Sequence, residues 1–404
     1  MRRGRGVMDN RILERRWLRP LSLLFVILMV FPLVSCRTRL PARPGGLKGI
    51  HGEEKALQPE VRVLLKQNLA RLTLEKGKYV LRNGRGDIIT RGERRVVLRK
   101  NGGETVVVDG RMVKGRMALE SSSGVSIDGT LYRGTIYIHP TQRGISLVEK
   151  VNLEKYVVSV LRREIPLSFL PQAMKAMSVA IRSYTLYRME RSGDAYFHLD
   201  STNLSQVYGG EGDTDGAYDN AVRETEGTVL TYQGKPILAV YHSTCGGRTE
   251  RAANAWSTGQ PYLGSVSCDF CRNSPDYRWR YVIDEWSFLQ KFNRAGIRGG
   301  RVMRIDILSR TDTGRVKKIS LVTEKGSWKL DGRAIRSSLG YREVKSLAFS
   351  ARVSKGKLIF QGRGYGHGVG MCQYGANGLA RSGASYHEIL RFYYGKDVRE
   401  KRIY

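Results

Sequence analysis

The chain has 404 residues, with 69 Lys and Arg against 37 Asp and Glu, for a formal charge of +32. Apolar residues make up 41% and charged residues 26%, enough to bury cores in roughly two to three domains, so a globally disordered chain is excluded. Five cysteines are too few for a disulfide-built miniprotein, a single apolar run excludes a polytopic transporter, and the charge calls for a polyanionic partner: nucleic acid, acidic lipid or carboxylate-bearing cell wall.

Residues 1–35 read as an export leader. Arg11, Arg15, Arg16 and Arg19 form a basic front, and Leu21 to Val34 follow as a nearly unbroken apolar run. At about 1.5 Å per residue the run reaches roughly 21 Å, short of a ~30 Å hydrocarbon core, which suits a signal peptide. It closes in Leu33-Val34-Ser35-Cys36, which resembles a bacterial lipobox, so Cys36 is the expected site of lipidation after cleavage. The plainer alternative is a signal anchor with an incidental cysteine. An exported, lipid-anchored protein of the bacterial envelope meets membrane and wall rather than DNA. The wall thus becomes the leading polyanion and nucleic acid is set aside.

Residues 36–58 hold Pro41, Pro44, Gly45 and Gly46 among scattered charges and read as a flexible tether. Residues 59–150 show short strands with turn punctuation. Val96–Leu98 and Thr105–Val108 flank Asn101-Gly102-Gly103, a hairpin signal, and Leu131–Ile138 and Ile145–Val148 are further strands. This β-rich module carries no evident chemistry.

From residue 151 the period changes. Leu153, Val157, Val160 and Leu161 recur at helical spacing until Pro166. A second helix is predicted over Pro171–Arg191, with Ala173, Ala176 and Ala180 as a small face and Met174, Met177, Ile181 and Tyr184 as a large one. Strands are predicted at Thr228–Tyr232 and Ile237–Tyr241 around Gln233-Gly234, and a last helix at Tyr386–Tyr394 behind the capping box Ser385-x-x-Glu388. The fold class is α+β: the β-rich N-terminal module, then a mixed helix and strand catalytic domain over 151–404 with a cleft.

Glu164 stands three residues after Leu161 and four after Val160, so a helix places its carboxyl on the apolar stripe. Arg162 and Arg163 lie about 200° and about 100° away around the axis and need not pair with it. A carboxyl against hydrocarbon has a raised pKa, which is what a general acid in glycoside cleavage needs. The rival reading is a turn cap near Pro166, or a partner arginine elsewhere.

Several runs together carry a family resemblance. They are Leu153–Val160, Glu164-Ile165-Pro166, Ala173–Ala176, Ala180–Tyr184, Ser205–Gly210, Tyr241–Gly247 and Gly364–Ala376. In this order they resemble the SpoIID/LytB family from about residue 60 to the C-terminus. The family holds lytic transglycosylases acting on stem-peptide-free peptidoglycan, and modifiers that enhance wall amidases. The resemblance puts Glu164 at the catalytic acid. It implies cleavage between MurNAc and GlcNAc with closure of an anhydro ring, so that no second carboxylate is needed. It also draws Lys175, Arg182, Gln206, Tyr208, His367, Gln373 and Tyr374 toward the substrate, with Lys175 and Arg182 as candidates to meet lactyl carboxylates. Met177 departs from the usual Gln and Ser178 from the usual Ala. A non-catalytic wall-binding protein that enhances an amidase is the alternative function.

Gly362, Gly364, Gly366, Gly368 and Gly370 alternate, so an extended segment there would have one bare face and would project His367 from the other. His367 is then either a hydrogen-bonded structural residue or a substrate contact. Trp256 and Trp279 suit sugar stacking or core packing. Cys268 and Cys271 have the two-residue gap of a zinc site, with Cys245 and either His242 or Cys372 as further ligands. Such a zinc would be structural and is not required for the proposed chemistry. Disulfides are the rival, since export permits oxidation.

Overall fold

Apolar and polar residues alternate through Glu60–Leu69 and Gly144–Asn152, and these two strands pair antiparallel from Glu60 opposite Asn152 to Leu69 opposite Ile145. The computed structural model describes residues 58–404 apart from 76, 203–205, 211–215, 257, 294–295 and 298–299. The leader, Cys36 and residues 37–57 lie outside the described residues. The long pair is part of a seven-stranded sheet ordered Leu199–Asp200, Glu60–Leu69, Gly144–Asn152, Thr135–Thr141, Met117–Ser121, Tyr79–Arg82, Ile88–Arg91. A four-stranded sheet beside it holds the hairpin expected around Asn101-Gly102-Gly103, with Leu98 opposite Val108.

The sheet hands the chain directly to a helix. Asn152 ends its strand, and its side chain accepts from the Glu154 and Lys155 N–H groups to cap α1 (Leu153–Glu164). Ile165 is extended ahead of Pro166, which closes the helix. The remaining helices are α2 (Pro171–Arg191), α3 (Gly216–Glu224), α4 (Ala252–Ala255), α5 (Glu285–Phe292), α6 (Gly332–Leu339), α7 (Gln373–Arg381) and α8 (Tyr386–Tyr394). Pro171 opens α2 and both halves of the capping box at Ser385 are made. The middle of α2, from Ala173 to Thr185, is buried apart from Lys175, between α1, α3, α7 and α8. The mixed helix and strand content and β-rich N-terminal region make the fold α+β.

Two hydrophobic cores form. The larger runs from Val61 to Tyr394, and the strands before residue 150 share it with α1, α2, α7 and α8. The smaller runs from Trp279 to Phe360 and is built by a segment inserted between Cys271 and Val369. The insert folds as a three-stranded sheet of Arg278–Asp284, Lys357–Arg363 and Phe349–Ser354, with a second of Val302–Arg310, Val316–Thr323 and Gly326–Asp331.

Two local expectations need correction. After the turn at Gln233-Gly234 only Lys235–Pro236 pairs back, and Ile237–Val240 runs irregularly before Tyr241–His242 pairs parallel with Met371–Cys372. The alternating glycines are not a bare-faced strand. Gly364, Gly366, Gly368 and Gly370 have φ of 78°, 112°, 86° and 69°, so the run folds back repeatedly in the left-handed region. A Cβ at Gly370 would lie 2.1 Å from the Val240 carbonyl oxygen, which explains the lack of side chains better than an approaching ligand does.

Candidate active site

The last residue of α1, the start of α7, the 206–207 loop, the 240–243 segment and the 365–367 run converge on a cleft of about 1070 Å³. Glu164 lines it, half buried. Its Oε1 accepts from the Val207 N–H at 3.3 Å and its Oε2 from the Gln373 Nε2 at 3.2 Å. Burial pushes its pKa above the ordinary value of 4.5, opposed only by these two donors. The negative end of the α1 dipole acts in the same direction as burial. The helical spacing therefore placed the carboxyl correctly, and neither neighbouring arginine pairs with it among the described residues.

The floor behind Glu164 is a hydrogen-bonded network. Gln206 accepts from Tyr156 at 3.2 Å and Thr185 at 2.9 Å and donates to the Tyr241 hydroxyl at 3.1 Å. Tyr374 packs edge-on to Phe169 with centroids 5.2 Å apart. Among the described residues the cleft holds one other carboxylate, Asp276, which is ion-paired with Lys345. Three guanidiniums line it: Arg162, Arg163 and Arg336. The last is fixed by donating to the Val344 and Lys345 carbonyls at 2.9 and 2.7 Å, with its guanidinium carbon 4.8 Å from the Tyr341 ring centroid. Cationic and aromatic walls around one buried acid suit a carboxylate-bearing sugar chain.

Glu164, Gln206, Gln373, Tyr374, His367 and Trp256 thus come together, while three expected substrate contacts do not. Arg182 is fully buried in α2, bonding Glu154 through Nε at 2.7 Å and Nη2 at 2.6 Å and the Thr228 carbonyl at 2.9 Å. A buried guanidinium must be paired, and Glu154 meets that need from one turn inside α1. Lys175 pairs with Glu224 of α3, outside the cleft. Tyr208 is buried against Tyr156 and donates to Glu149 at 2.8 Å. The insert supplies Arg336, Tyr341 and Lys345, which the sequence does not reveal because no motif marks them.

His367 has both nitrogens engaged: Nε2 meets the Tyr241 carbonyl and Nδ1 the Val369 N–H, each at 3.0 Å. These contacts fix the tautomer with Nδ1 as acceptor, and burial lowers its pKa to about 4. It is the structural histidine of the two alternatives, placed 5.4 Å from Trp256 ring to ring. Trp279 belongs to the insert's core.

The four cysteines after the leader meet behind the cleft. The Sγ atoms of Cys245, Cys268, Cys271 and Cys372 all lie within 4.8 Å of one another and are buried. No disulfide joins them, and Cys245 and Cys271 are 3.4 Å apart. Tetrahedral Zn–S bonds of about 2.3 Å put sulfurs roughly 3.8 Å apart, so the four thiols fit one zinc. Cys372 also accepts from the Cys245 and Gly375 N–H groups at 3.2 and 3.3 Å, as a thiolate ligand would. His242 is not among them: its Nδ1 meets the Val369 carbonyl at 3.0 Å and it faces the cleft. Cys372 is the N-cap of α7, so the cluster sets the place of Gln373 beside Glu164.

Comparison with known proteins agrees with the geometry. Residues 141–232 match the family model described as Stage II sporulation protein, and residues 268–370 match a domain of unknown function, DUF8618, over most of the insert. The chain is 34% identical over 272 residues to the Stage II sporulation protein D of Bacillus amyloliquefaciens, covering 63% of this chain and 76% of that one. Against the protein of the same name from Bacillus subtilis (strain 168) identity is 31% over 270 residues, covering 63% of this chain and 76% of that one. The Amidase enhancer of Bacillus subtilis (strain 168) is 28% identical over 324 residues, 68% of this chain and 44% of its own length. The residues around Glu164, the tyrosine-histidine segment before Cys245 and the glycine run all fall within one arrangement, and the chain belongs to the SpoIID/LytB family.

Proposed function

We propose that the protein is a cell-wall lytic transglycosylase acting on peptidoglycan glycan strands, with Glu164 as its single general acid and base. The observation that carries this reading is one half-buried carboxyl with a raised pKa in a cleft where the other carboxylate among the described residues, Asp276, is neutralised by Lys345. Protonated Glu164 gives its proton to the glycosidic oxygen between MurNAc and GlcNAc, and that C–O bond breaks. The resulting carboxylate takes the proton of the MurNAc carbon-6 hydroxyl as this oxygen bonds to the anomeric carbon. The acid is regenerated, no water is consumed, and the paired-carboxylate scheme of ordinary glycosidases is not required. Met177 and Ser178, which depart from the family pattern, are fully buried in α2 and are not among the residues that line the cleft.

The four cysteines would hold a structural zinc that fixes α7 behind Gln373, with no part in the chemistry. The leader would deliver the chain to the bacterial envelope and Cys36 would carry the lipid anchor; no helix among the described residues is long and apolar enough to cross a membrane. A second reading follows the relative named Amidase enhancer: the same cleft holds glycan without cutting it and a wall amidase does the cleavage. The test is to incubate the full chain and Glu164→Gln with purified denuded glycan and look for anhydro-muramyl ends by mass spectrometry. Product from the parent alone supports the enzyme. Equal product from both removes Glu164 from its role, and tight binding without product from either supports the enhancer.

A further inference from the structure

The insert over residues 278–363 holds 21 Lys and Arg against seven Asp and Glu, a concentration of charge that the cleft alone does not use. It forms a second groove of about 820 Å³ whose lining includes Arg278, Arg280, Arg310 and Arg363 and, among the described residues, no carboxylate. Arg278 and Arg363 are direct partners across the antiparallel ladder, and Arg280 follows opposite Gln361. Like charges opposite one another destabilise a sheet unless something neutralises them. Among the described residues no acidic side chain pairs with any of these four arginines. Arg310 is held in place, donating to the Gly314 carbonyl at 2.8 Å and the Phe349 carbonyl at 2.9 Å.

The groove is continuous in the chain with the candidate active site. The strand that supplies Gln361 and Arg363 runs on through Gly364 into Tyr365 and His367 of the cleft, and Arg278 stands two residues after Asp276. We propose that this groove is an anion subsite that takes the lactyl carboxylates of the glycan strand beyond the segment held at Glu164. Resting on the glycan reading above, it gives the insert the role of gripping a long strand by its carboxylates on one side of the cut. Guanidinium forks match carboxylates, and four of them without counter-ions select a repeating anion over a neutral sugar chain.

The test reads binding rather than cleavage, so it is independent of whether Glu164 cuts. The full chain carrying Glu164→Gln is titrated with denuded glycan strands, with the same strands after reduction of the lactyl carboxylates to alcohols, and with poly(glycerol phosphate). A second protein carries Arg278→Gln and Arg363→Gln in addition. Loss of two exposed charge contacts should weaken binding to denuded glycan about tenfold and flatten its salt dependence. Carboxylate-reduced strands should bind both proteins equally and weakly. The exposed positions make folding loss avoidable, and thermal melts check it. Unchanged glycan affinity in the double variant overturns the proposal. So does a loss seen only with poly(glycerol phosphate), which would make a phosphodiester polymer the occupant.

Discussion

Replacing Arg182 tests whether this cation serves the fold or the substrate. Its guanidinium is fully buried, and two of its nitrogens meet the two oxygens of Glu154, which is itself largely buried. Glu154 also accepts from the Tyr404 hydroxyl and, at 3.5 Å, from the Gly227 N–H. Arg182→Met leaves the carboxylate with those two donors and some access to water, so the cost should fall near the lower end of the ~3–5 kcal/mol for breaking a buried pair. Glu154→Leu leaves the buried guanidinium without its carboxylate, facing the Thr228 carbonyl at 2.9 Å, the Val222 carbonyl at 3.5 Å and the Tyr404 hydroxyl. It should reach the upper end, about 5 kcal/mol. The double variant removes both charges and should cost less than the two single changes together, with a coupling of a few kcal/mol. Urea unfolding of the four proteins gives the cycle, and binding to denuded glycan below the transition gives the control. The reasoning is refuted if Arg182→Met stays within about 1 kcal/mol of the parent while glycan affinity falls, because the side chain would then be a substrate contact.

Glu164→Gln should lower formation of anhydro-muramyl ends by about 10²- to 10⁴-fold, the usual weight of a general acid, with strand binding retained in a pull-down assay. The same residue sets a pH signature. Its folded pKa is raised, so the folded state holds the proton more tightly than the unfolded one, and its stabilising contribution is full below 4.5 and lost as pH rises through the folded value. Cleavage should fall over that rise, and Glu164→Gln should gain stability relative to the parent as pH increases, measured by urea midpoints at pH 4 to 8. Full chain purified under reducing conditions should contain one zinc per molecule by elemental analysis, and chelation should lower its melting temperature. Cys268→Ser with Cys271→Ser should lose the metal, and a metal content unchanged by that pair would remove the cluster from the ligand set. Gln206→Leu takes the acceptor from the buried Tyr156 hydroxyl and the donor from the Tyr241 oxygen, while Thr185 keeps the Ile181 carbonyl, and should cost about 2–4 kcal/mol in urea unfolding.

Where the sequence was legible, the signals act within a few residues. Pro166 closes α1, Pro171 opens α2, and Ser385 with Glu388 opens α8. The position of Glu164 is legible for the same reason, because four residues of helix decide which way it points. Arg182 reads from the sequence as a substrate contact, but the middle of α2 is enclosed by other helices, so its guanidinium has to find a partner in the core. That partner, Glu154, is 28 residues away and carries no local mark. The glycine run misled through its period of two, which suits a strand, whereas backbone contacts such as the Thr244 carbonyl 2.5 Å from a Cβ built on Gly364 demand the left-handed turns. The insert escaped notice because its core positions are spaced by exposed lysines and arginines, as in Val316-Lys317-Lys318-Ile319, which blurs the strand pattern. The Cys268 and Cys271 pair announces itself by spacing, but choosing Cys372 over His242 requires knowing that the His242 ring is held by the Val369 carbonyl at the cleft while the Cys372 sulfur lies with the other three.

One buried cation of the insert binds these parts into a unit. Arg315 donates to the Cys245 carbonyl at 3.2 Å and the Arg248 carbonyl at 2.9 Å, and a Cβ at Gly368 would come within 2.4 Å of it. It therefore sits under the glycine run and against the backbone of the cysteine loop. Cys245 in turn bonds Cys372, Cys372 caps α7, and Gln373 at the head of α7 holds Glu164. Each contact joins segments far apart in sequence, so the carboxyl of α1 is oriented only when the insert, the cysteine loop and α7 are all in place. A site assembled this way need not be rigid in its parts: its precision comes from closing the loop of contacts. That makes the insert part of the framework that orients Glu164, even though the described lining of its own groove does not include that carboxyl.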